Sequence, residues 1–210
     1  MMDKNFFQKY YHILTGILVF VLYYLTTSRS IGEIDSGELA AVQATWGIAH
    51  PTGYPLFAIT GYLYSKIPIV QPLIFQLNLL QCIWNALTVM IFIKLIEEVL
   101  SNFHILINEK KYPFLSLINL NNSTIIFSSI IGGLIFAFSI TFWKQSTRVE
   151  VYSLQIFLTS MILYLLFRFY IKFSKSVAIL NWLSFFKSLD DALPSYVDVA
   201  QFLALHLKVR

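Results

Sequence analysis

Three acidic side chains and a histidine stand close together in an early polar segment of a chain that is otherwise very apolar. Glu33, Asp35 and Glu38 fall within six residues, and His50 follows, directly before a turn of sequence PTGYP. A membrane surface and neighbouring negative charge both raise the pKa of a carboxyl group, which suits it to act as a general base. The alternating proline and glycine residues break any helix and direct His50 and Tyr54 back toward these acids.

The same spacing also has a purely structural interpretation. In a capping box, Asp35 would accept a hydrogen bond from an amide of the first helical turn, and Glu38 would reach back to the amide of Asp35. Apolar residues at three- to four-residue spacing follow, which predicts a short helix with one apolar face. The sequence leaves both roles of the two acids open. The spacing of acids and histidine matches no metal-ligand motif, so no metal site is predicted.

A second polar segment, residues 143–154, reads WKQSTRVEVYSL. Tyr152 fits the aromatic belt of a membrane interface, whereas Lys144 and Arg148 stand where a membrane protein has few positive charges. One explanation is a local ion pair of Arg148 with Glu150 or with an acid of the first segment. The other is a site for an anionic substrate group, because guanidinium binds phosphate through paired hydrogen bonds.

The composition is that of an integral membrane protein. The 210 residues are 57% hydrophobic and only 12% charged, which is half the charged fraction of soluble domains, about 25%. The apolar runs are long and continuous, as in helices, and lack the alternation of a membrane β-barrel. The net charge of +4 includes no dense basic cluster, so no nucleic-acid partner is predicted. An all-α polytopic membrane protein follows, with the lipid bilayer as its surroundings.

Four apolar segments have the length of a membrane span, which is about 20 residues. They lie near residues 10–27, 72–96, 123–143 and 151–171, and a shorter apolar stretch at 54–70 predicts a helix at the membrane interface. Lysine and arginine gather before the first span, between the second and third, and after the fourth. The positive-inside rule then places the N-terminus in the cytoplasm and both polar segments on the lumenal or periplasmic face, where they are able to share one site.

Residues 35–57, DSGELAAVQATWGIAHPTGYPLF, resemble the signature of the DUF2723 family, the transmembrane protein 260-like protein O-mannosyltransferases. The stretch WKQSTRVEVYSLQ resembles the second motif of that family, in which a tryptophan is followed by E-V-Y-x-L. The first motif is long and specific. Together the two matches cover the chain to about residue 168.

The resemblance implies a membrane glycosyltransferase of the GT-C type, a helical bundle with interfacial helices in its first extracytoplasmic loop. It implies transfer of a sugar, expected to be mannose, from a polyprenyl-phosphate carrier to serine or threonine of an acceptor protein, without a metal or other cofactor. The membrane would be that of the ER or the bacterial inner membrane. Carried over by position, the catalytic residues are Asp35 and Glu38. The candidates for substrate binding are His50, Tyr54, Lys144, Arg148, Glu150 and Tyr152.

The resemblance fades near residue 175, so residues 1–175 are expected to form the transmembrane domain and residues 176–210 a divergent tail. Members of the family have more spans, so a truncated chain and a natural short relative both fit this pattern. Two other functions stay open. One keeps the donor but uses a lipid or polysaccharide acceptor. The other is a non-catalytic membrane scaffold in which Asp35 and Glu38 only begin a helix.

Overall fold

The computed structural model describes residues 4–32, 35–51, 53–103 and 120–172, and within these ranges the regular structure is entirely helical. The predicted all-α fold is therefore confirmed for this part of the chain. The helices, in order, are α1 Lys4–Thr26, α2 Ser36–Thr45, α3 Pro55–Ser65, α4 Leu73–Ser101, α5 Asn122–Ala137, α6 Ile140–Ser146 and α7 Val151–Lys172.

The chain divides into two compact units, residues 1–164 and residues 165–210. Every contact discussed below lies within the first unit. Of the second unit, the structure describes only the end of α7. The divergent tail predicted at 176–210 lies outside the described residues, as does Glu33 of the first polar segment.

Two helices, α4 and α7, are long and apolar enough to cross a membrane, over Leu73–Ser101 and Val151–Ile171. They coincide with the second and fourth predicted spans. At the third, α5 and α6 are bent by 70° and form a candidate span only as a pair. The helix at the first, α1, contains Lys9 and His12 and stands outside this group. The described part thus has the helices of a membrane protein, while the four-span GT-C-like layout stays a prediction.

The long helix α4 is the element against which α1, α3, α5 and α6 pack. Its most deeply packed residues include Val89 and Ile93, which have no exposed surface. The helix α5 approaches α4 closely at Gly133, where a Cβ atom would lie 2.3 Å from Cγ1 of Ile93. A glycine is needed here because any side chain would displace the backbone of one helix from the other.

The two short helices α2 and α3 pack against each other and against the beginning of α4. Leu39 of α2, Phe57 of α3 and Leu77 of α4 are buried in one apolar cluster. The opposite surface of this pair carries exposed apolar side chains, such as Ile48, which is 90% exposed, and Trp46, whose ring lies 4.8 Å from that of Tyr62. Such a surface is typical of helices at a membrane interface, as the sequence predicts for 54–70.

The contact at Gly133 gives a test of the helix packing. We expect Gly133→Ala to lower the free energy of unfolding by about 1–3 kcal/mol, because its methyl group overlaps the branched side chain of Ile93. The matched control is Gly132→Ala, whose methyl group meets only the terminal Cδ1 of Ile96, at 2.8 Å. Unfolding in mixed detergent micelles, followed by circular dichroism, measures both. Equal losses would contradict the close packing of α5 on α4 at Gly133.

Candidate functional site

Asp35 and Glu38 do not form a capping box at the beginning of α2. Asp35 stands at the N-cap position, but its backbone is already helical, with φ −82° and ψ −11°, and its side chain makes no capping hydrogen bond. An N-cap residue normally has an extended backbone that aims its side chain at the first-turn amides. Glu38 does not reach back either, since its Oε1 accepts a hydrogen bond from the amide of His50 at 2.7 Å. The exposed carboxylate of Asp35 is left without a described partner.

Glu38, His50 and Tyr54 form one cluster. Nδ1 of His50 lies 3.2 Å from both carboxylate oxygens of Glu38, and the rings of His50 and Tyr54 meet edge to face at 5.7 Å. The turn between α2 and α3 therefore does direct His50 back to an acid. The hydrogen bond from the His50 amide, aided by the imidazole, holds the pKa of Glu38 below its usual value. Glu38 is thus an ionised partner of His50 and a weak proton acceptor.

A second cluster joins the two polar segments of the sequence. The side chain of Arg148 passes the backbone at Gly32, with Cδ 3.2 Å from the position of a Cβ atom there, and the Ser36 hydroxyl lies 3.0 Å from the same position. Arg148 and Asp35 both lie close enough to Glu150 for their charges to act on its carboxyl group. The two segments, far apart in sequence, therefore share one site.

The carboxyl group of Glu150 has the environment of a proton acceptor. Glu150 is half-buried, and this burial raises the pKa of its carboxyl group above the usual value. The negative charge of Asp35 acts in the same direction, whereas the positive charge of Arg148 lowers the pKa of Glu150. Its placement beside Asp35 makes Glu150 a candidate for proton transfer as well as for substrate binding.

The remaining two predicted residues stand at the edge of this cluster. Lys144 lies in the last turn of α6 and Tyr152 in the first turn of α7, and both side chains are exposed. Neither side chain makes a hydrogen bond or ion pair with another residue that the structure describes. Both are free to meet a molecule that approaches the site from outside.

A row of polar side chains on α4 contacts the chain next to the first segment and within the second. Neither of the two sequence motifs includes these residues. Asn78, Cys82 and Asn85 are fully buried on one face of the helix. Nδ2 of Asn78 donates to the carbonyl of Ser28 at 2.9 Å, and Nδ2 of Asn85 donates to Oγ of Ser153 at 2.9 Å.

Cys82 lies between these two amides and contacts the end of α1 and the second segment. Its sulfur lies 2.9 Å from Oγ1 of Thr27 and donates to the carbonyl of Ser146 at 3.1 Å. One direct bond, from the amide of Ser28 to the carbonyl of Thr147, joins the second segment to the residues that lead from α1 into the first. The sequence does show these residues at helical spacing inside an apolar span. Polar residues are rare in such spans unless they have a role, so this pattern could have predicted the row.

Several buried polar atoms near the clusters have no hydrogen-bond partner among the described residues. Most are side-chain amide oxygens, and the others near the site are a hydroxyl oxygen and a guanidinium nitrogen. Such atoms are few in folded proteins, so each of them calls for an explanation such as a catalytic role or a bound water or ion. They are Oγ of Ser36, Nε of Arg148, and the amide oxygens of Gln43, Asn78, Gln81, Asn85 and Gln145.

The arrangement has the parts needed for a group transfer with an anionic leaving group. Asp35 and Glu150 provide carboxyl groups that accept a proton, and Arg148 provides a fixed positive charge beside them. No group of three or more histidine, cysteine, aspartate or glutamate side chains gathers as a metal site within the described ranges.

Comparison with known proteins agrees with the two motifs. Residues 35–189 match the family model described as the protein O-mannosyl-transferase TMEM260 N-terminal domain. The protein O-mannosyl-transferase tmem260 of Dictyostelium discoideum is 42% identical over 55 residues, which are 26% of this chain and 7% of that protein. The protein O-mannosyl-transferase TMEM260 of Mus musculus is 26% identical over 151 residues, 72% of this chain and 18% of that protein.

The matched parts make up less than a fifth of the length of either relative. No solved structure matches the chain significantly. The comparisons therefore identify a domain, and they cover both polar segments of the candidate site.

The hydrogen bond between Asn85 and Ser153 tests whether α4 holds the second segment. In a double-mutant cycle of Asn85→Ala and Ser153→Ala, we expect a coupling energy of about 0.6–1.7 kcal/mol, as for other hydrogen bonds between membrane helices. The cycle is measured by unfolding in mixed micelles. As a control, Asn85→Ala combined with Thr45→Ala, at the far end of α2, should be additive within about 0.5 kcal/mol. Additivity in the first cycle would show that this bond is absent.

The proximity of Asp35, Arg148 and Glu150 is tested by titrating Glu150. Because a nearby cation favours the carboxylate, Arg148→Gln should raise the pKa of Glu150, and because a nearby anion disfavours it, Asp35→Asn should lower it. Infrared titration of isotope-labelled glutamate measures this pKa, with the Glu150 band assigned by its loss in Glu150→Gln. Glu38→Gln is the control and should leave the pKa of Glu150 unchanged. If neither Arg148→Gln nor Asp35→Asn changed the pKa of Glu150, the shared site would be contradicted.

Proposed function

The chain belongs to the protein O-mannosyl-transferase TMEM260 N-terminal domain family, and we propose that it transfers mannose from a polyprenyl-phosphate carrier to serine or threonine of a protein. The observation that supports this best is the meeting of the two polar segments at Gly32, where Arg148 and Ser36 converge and where the charges of Arg148 and Asp35 act on Glu150. A carboxyl group that takes up a proton and a cation that faces a leaving phosphate are the two functions this reaction needs.

In the proposed reaction, Asp35 accepts the proton of the acceptor hydroxyl as the hydroxyl oxygen attacks the anomeric carbon of the sugar. The new carbon–oxygen bond forms as the bond from the anomeric carbon to the phosphate oxygen breaks. The electron pair of that bond leaves with the polyprenyl phosphate, whose added negative charge Arg148 stabilises, with Lys144 as a second cation at the edge of the site. A single displacement of this kind inverts the configuration of the anomeric carbon.

The remaining predicted residues have supporting roles in this proposal. Glu38 is held by His50, so it keeps the turn between α2 and α3 in place and leaves proton transfer to Asp35. Tyr54 packs on His50 and, like the exposed Tyr152, offers an aromatic face to a sugar ring. Glu150 accepts hydrogen bonds from sugar hydroxyl groups or shares the proton that Asp35 takes up.

The location proposed for the reaction rests on the distribution of charge along the sequence. The positive-inside rule favours a cytoplasmic N-terminus and a site on the lumenal face of the ER membrane or the periplasmic face of a bacterial inner membrane. The exposed apolar surface of α2 and α3 suits a position at that interface, next to a lipid-linked donor. A scaffold role is less well supported, because it requires Asp35 to cap α2 and its side chain makes no capping bond.

Replacing Asp35 tests the function directly. We expect Asp35→Asn and Asp35→Ala both to reduce mannose transfer from polyprenyl-phosphate-mannose by about 100-fold or more, the range of a lost general base. The assay uses membranes that carry the chain at equal levels. Thr45→Ala, at the other end of α2, is the control and should keep full activity.

The two Asp35 variants separate the competing roles of this residue. Asparagine caps a helix as well as aspartate does but does not take up a proton. Activity kept by Asp35→Asn and lost only by Asp35→Ala would show that Asp35 begins the helix and that another residue accepts the proton. Absence of transfer by the unmodified chain would count against the proposed activity of this chain as a whole.

A further inference from the structure

The carboxylate of Glu38 holds both the backbone and the ring of His50. Its Oε1 atom accepts a hydrogen bond from the amide of His50 at 2.7 Å, and Nδ1 of the imidazole lies 3.2 Å from each carboxylate oxygen. The amide of Gly53 donates to the carbonyl of His50 at 2.8 Å, which closes the turn that follows. The imidazole is therefore oriented by a charged group on α2.

The charge of Glu38 decides which nitrogen of His50 carries the hydrogen. The pKa of Glu38 is held below its usual value by the hydrogen bond from the His50 amide, so this carboxyl group is ionised near neutral pH and only accepts hydrogen bonds. A neutral imidazole beside it must then carry its hydrogen on Nδ1, which leaves the lone pair on Nε2. A carboxylate placed in this way fixes the tautomer of a histidine and makes Nε2 a hydrogen-bond acceptor.

The ring of Tyr54 stands beside this imidazole although its own backbone is strained. The two rings meet edge to face, with their centres 5.7 Å apart. Tyr54 has a left-handed backbone, with φ 42° and ψ 58°, which is unfavourable for any residue that has a Cβ atom. Backbones of this kind gather at binding and active sites, where they hold a side chain in one position.

Stability alone does not account for the contact between Glu38 and His50. The side chains of His50 and Glu38 are 40% and 45% exposed, and ion pairs as exposed as this one contribute little to folding. The same exposure lets a molecule outside the chain reach the imidazole. An oriented acceptor beside an aromatic ring has the composition of a site for a hydroxyl group on a carbon frame.

We propose that His50, oriented by Glu38, accepts a hydrogen bond at Nε2 from a hydroxyl group of the substrate, beside the ring of Tyr54. His50 touches the substrate in this assignment, and Glu38 is a positioning residue. The assignment rests on the proposed function for the identity of the substrate. The hydroxyl group belongs either to the sugar of the donor or to the serine or threonine of the acceptor protein, and the experiments below distinguish the two.

The tautomer of His50 is measured without any transfer reaction. Nitrogen NMR of the full chain in detergent micelles, with isotope-labelled histidine, separates protonated from unprotonated ring nitrogens. The signals of His50 are assigned by their loss in His50→Asn. We expect Nδ1 of His50 to carry the hydrogen and Nε2 to carry none at neutral pH, and we expect Glu38→Ala to abolish this preference. A hydrogen on Nε2 in the unmodified chain would overturn the proposal.

Two probes identify the source of the hydroxyl group. Methyl mannoside and a serine-containing peptide are titrated separately into the labelled chain, and the Nε2 signal of His50 is followed. A shift caused by methyl mannoside assigns the site to the sugar, and a shift caused by the peptide assigns it to the acceptor. If neither probe shifts the Nε2 signal, the site is overturned.

Asparagine at position 50 separates substrate binding from the structural role of the histidine. His50→Asn keeps an amide donor near the position of Nδ1 for Glu38 but has no counterpart of Nε2. It should weaken binding of the active probe about three- to tenfold, the effect of losing one neutral hydrogen bond, as measured from the NMR signals of the probe itself. His50→Gln, whose amide oxygen reaches toward the position of Nε2, should lose less affinity, and Thr45→Ala should lose none.

The results for His50→Asn also separate this site from the proposed function. Equal affinity of His50→Asn and the unmodified chain for the probe would overturn the site, even where mannose is transferred. Weaker binding by His50→Asn would support the site, even where the unmodified chain transfers no mannose and the proposed function fails.

Discussion

Buried amides on a membrane helix constrain the rest of this structure. Asn78 and Asn85 lie on α4 with no exposed surface, and each would cost about 1–3 kcal/mol if its hydrogen-bonding groups stayed unpaired. The partners that their amide nitrogens find are Ser28, next to the first polar segment, and Ser153, in the second. The position of both segments is therefore set by α4, and the side chains that they carry meet because the helix holds their backbones.

The acids of the site have different environments although they lie close together. The carboxylate of Glu38 is hydrogen-bonded to His50, and that of Asp35 is exposed. Glu150 is half-buried, and Arg148 and Asp35 act in opposite directions on the pKa of its carboxyl group. Carboxyl groups in unlike environments take unlike roles in catalysis. The family resemblance predicts Asp35 as the catalytic acid, with Glu38 as its neighbour. In the structure Glu38 is hydrogen-bonded to His50, whereas the half-buried Glu150 lies within the influence of Asp35 and Arg148.

Composition and motif order predict much of this architecture, because membrane helices follow from long apolar runs. Charge distribution also led us to expect that the two polar segments share a site, and the contact of Arg148 with Gly32 joins them. The open beginning of α2 was not predictable, since spacing shows that Asp35 is able to cap but not which backbone angles it adopts. The bend after Ala137 could not be predicted either, because no proline stands at that point in the sequence.

An uncapped helix end and a buried, unpaired hydroxyl are both unfavourable, and they occur at neighbouring residues. A missing N-cap bond costs about 0.5–2 kcal/mol, and the hydroxyl of Ser36 adds a desolvation cost of similar size. Rotating Asp35 into an extended backbone would relieve the first, but its carboxylate would then occupy the amides. The uncapped start of α2 therefore leaves the carboxylate of Asp35 exposed, as the proton transfer proposed for this residue requires.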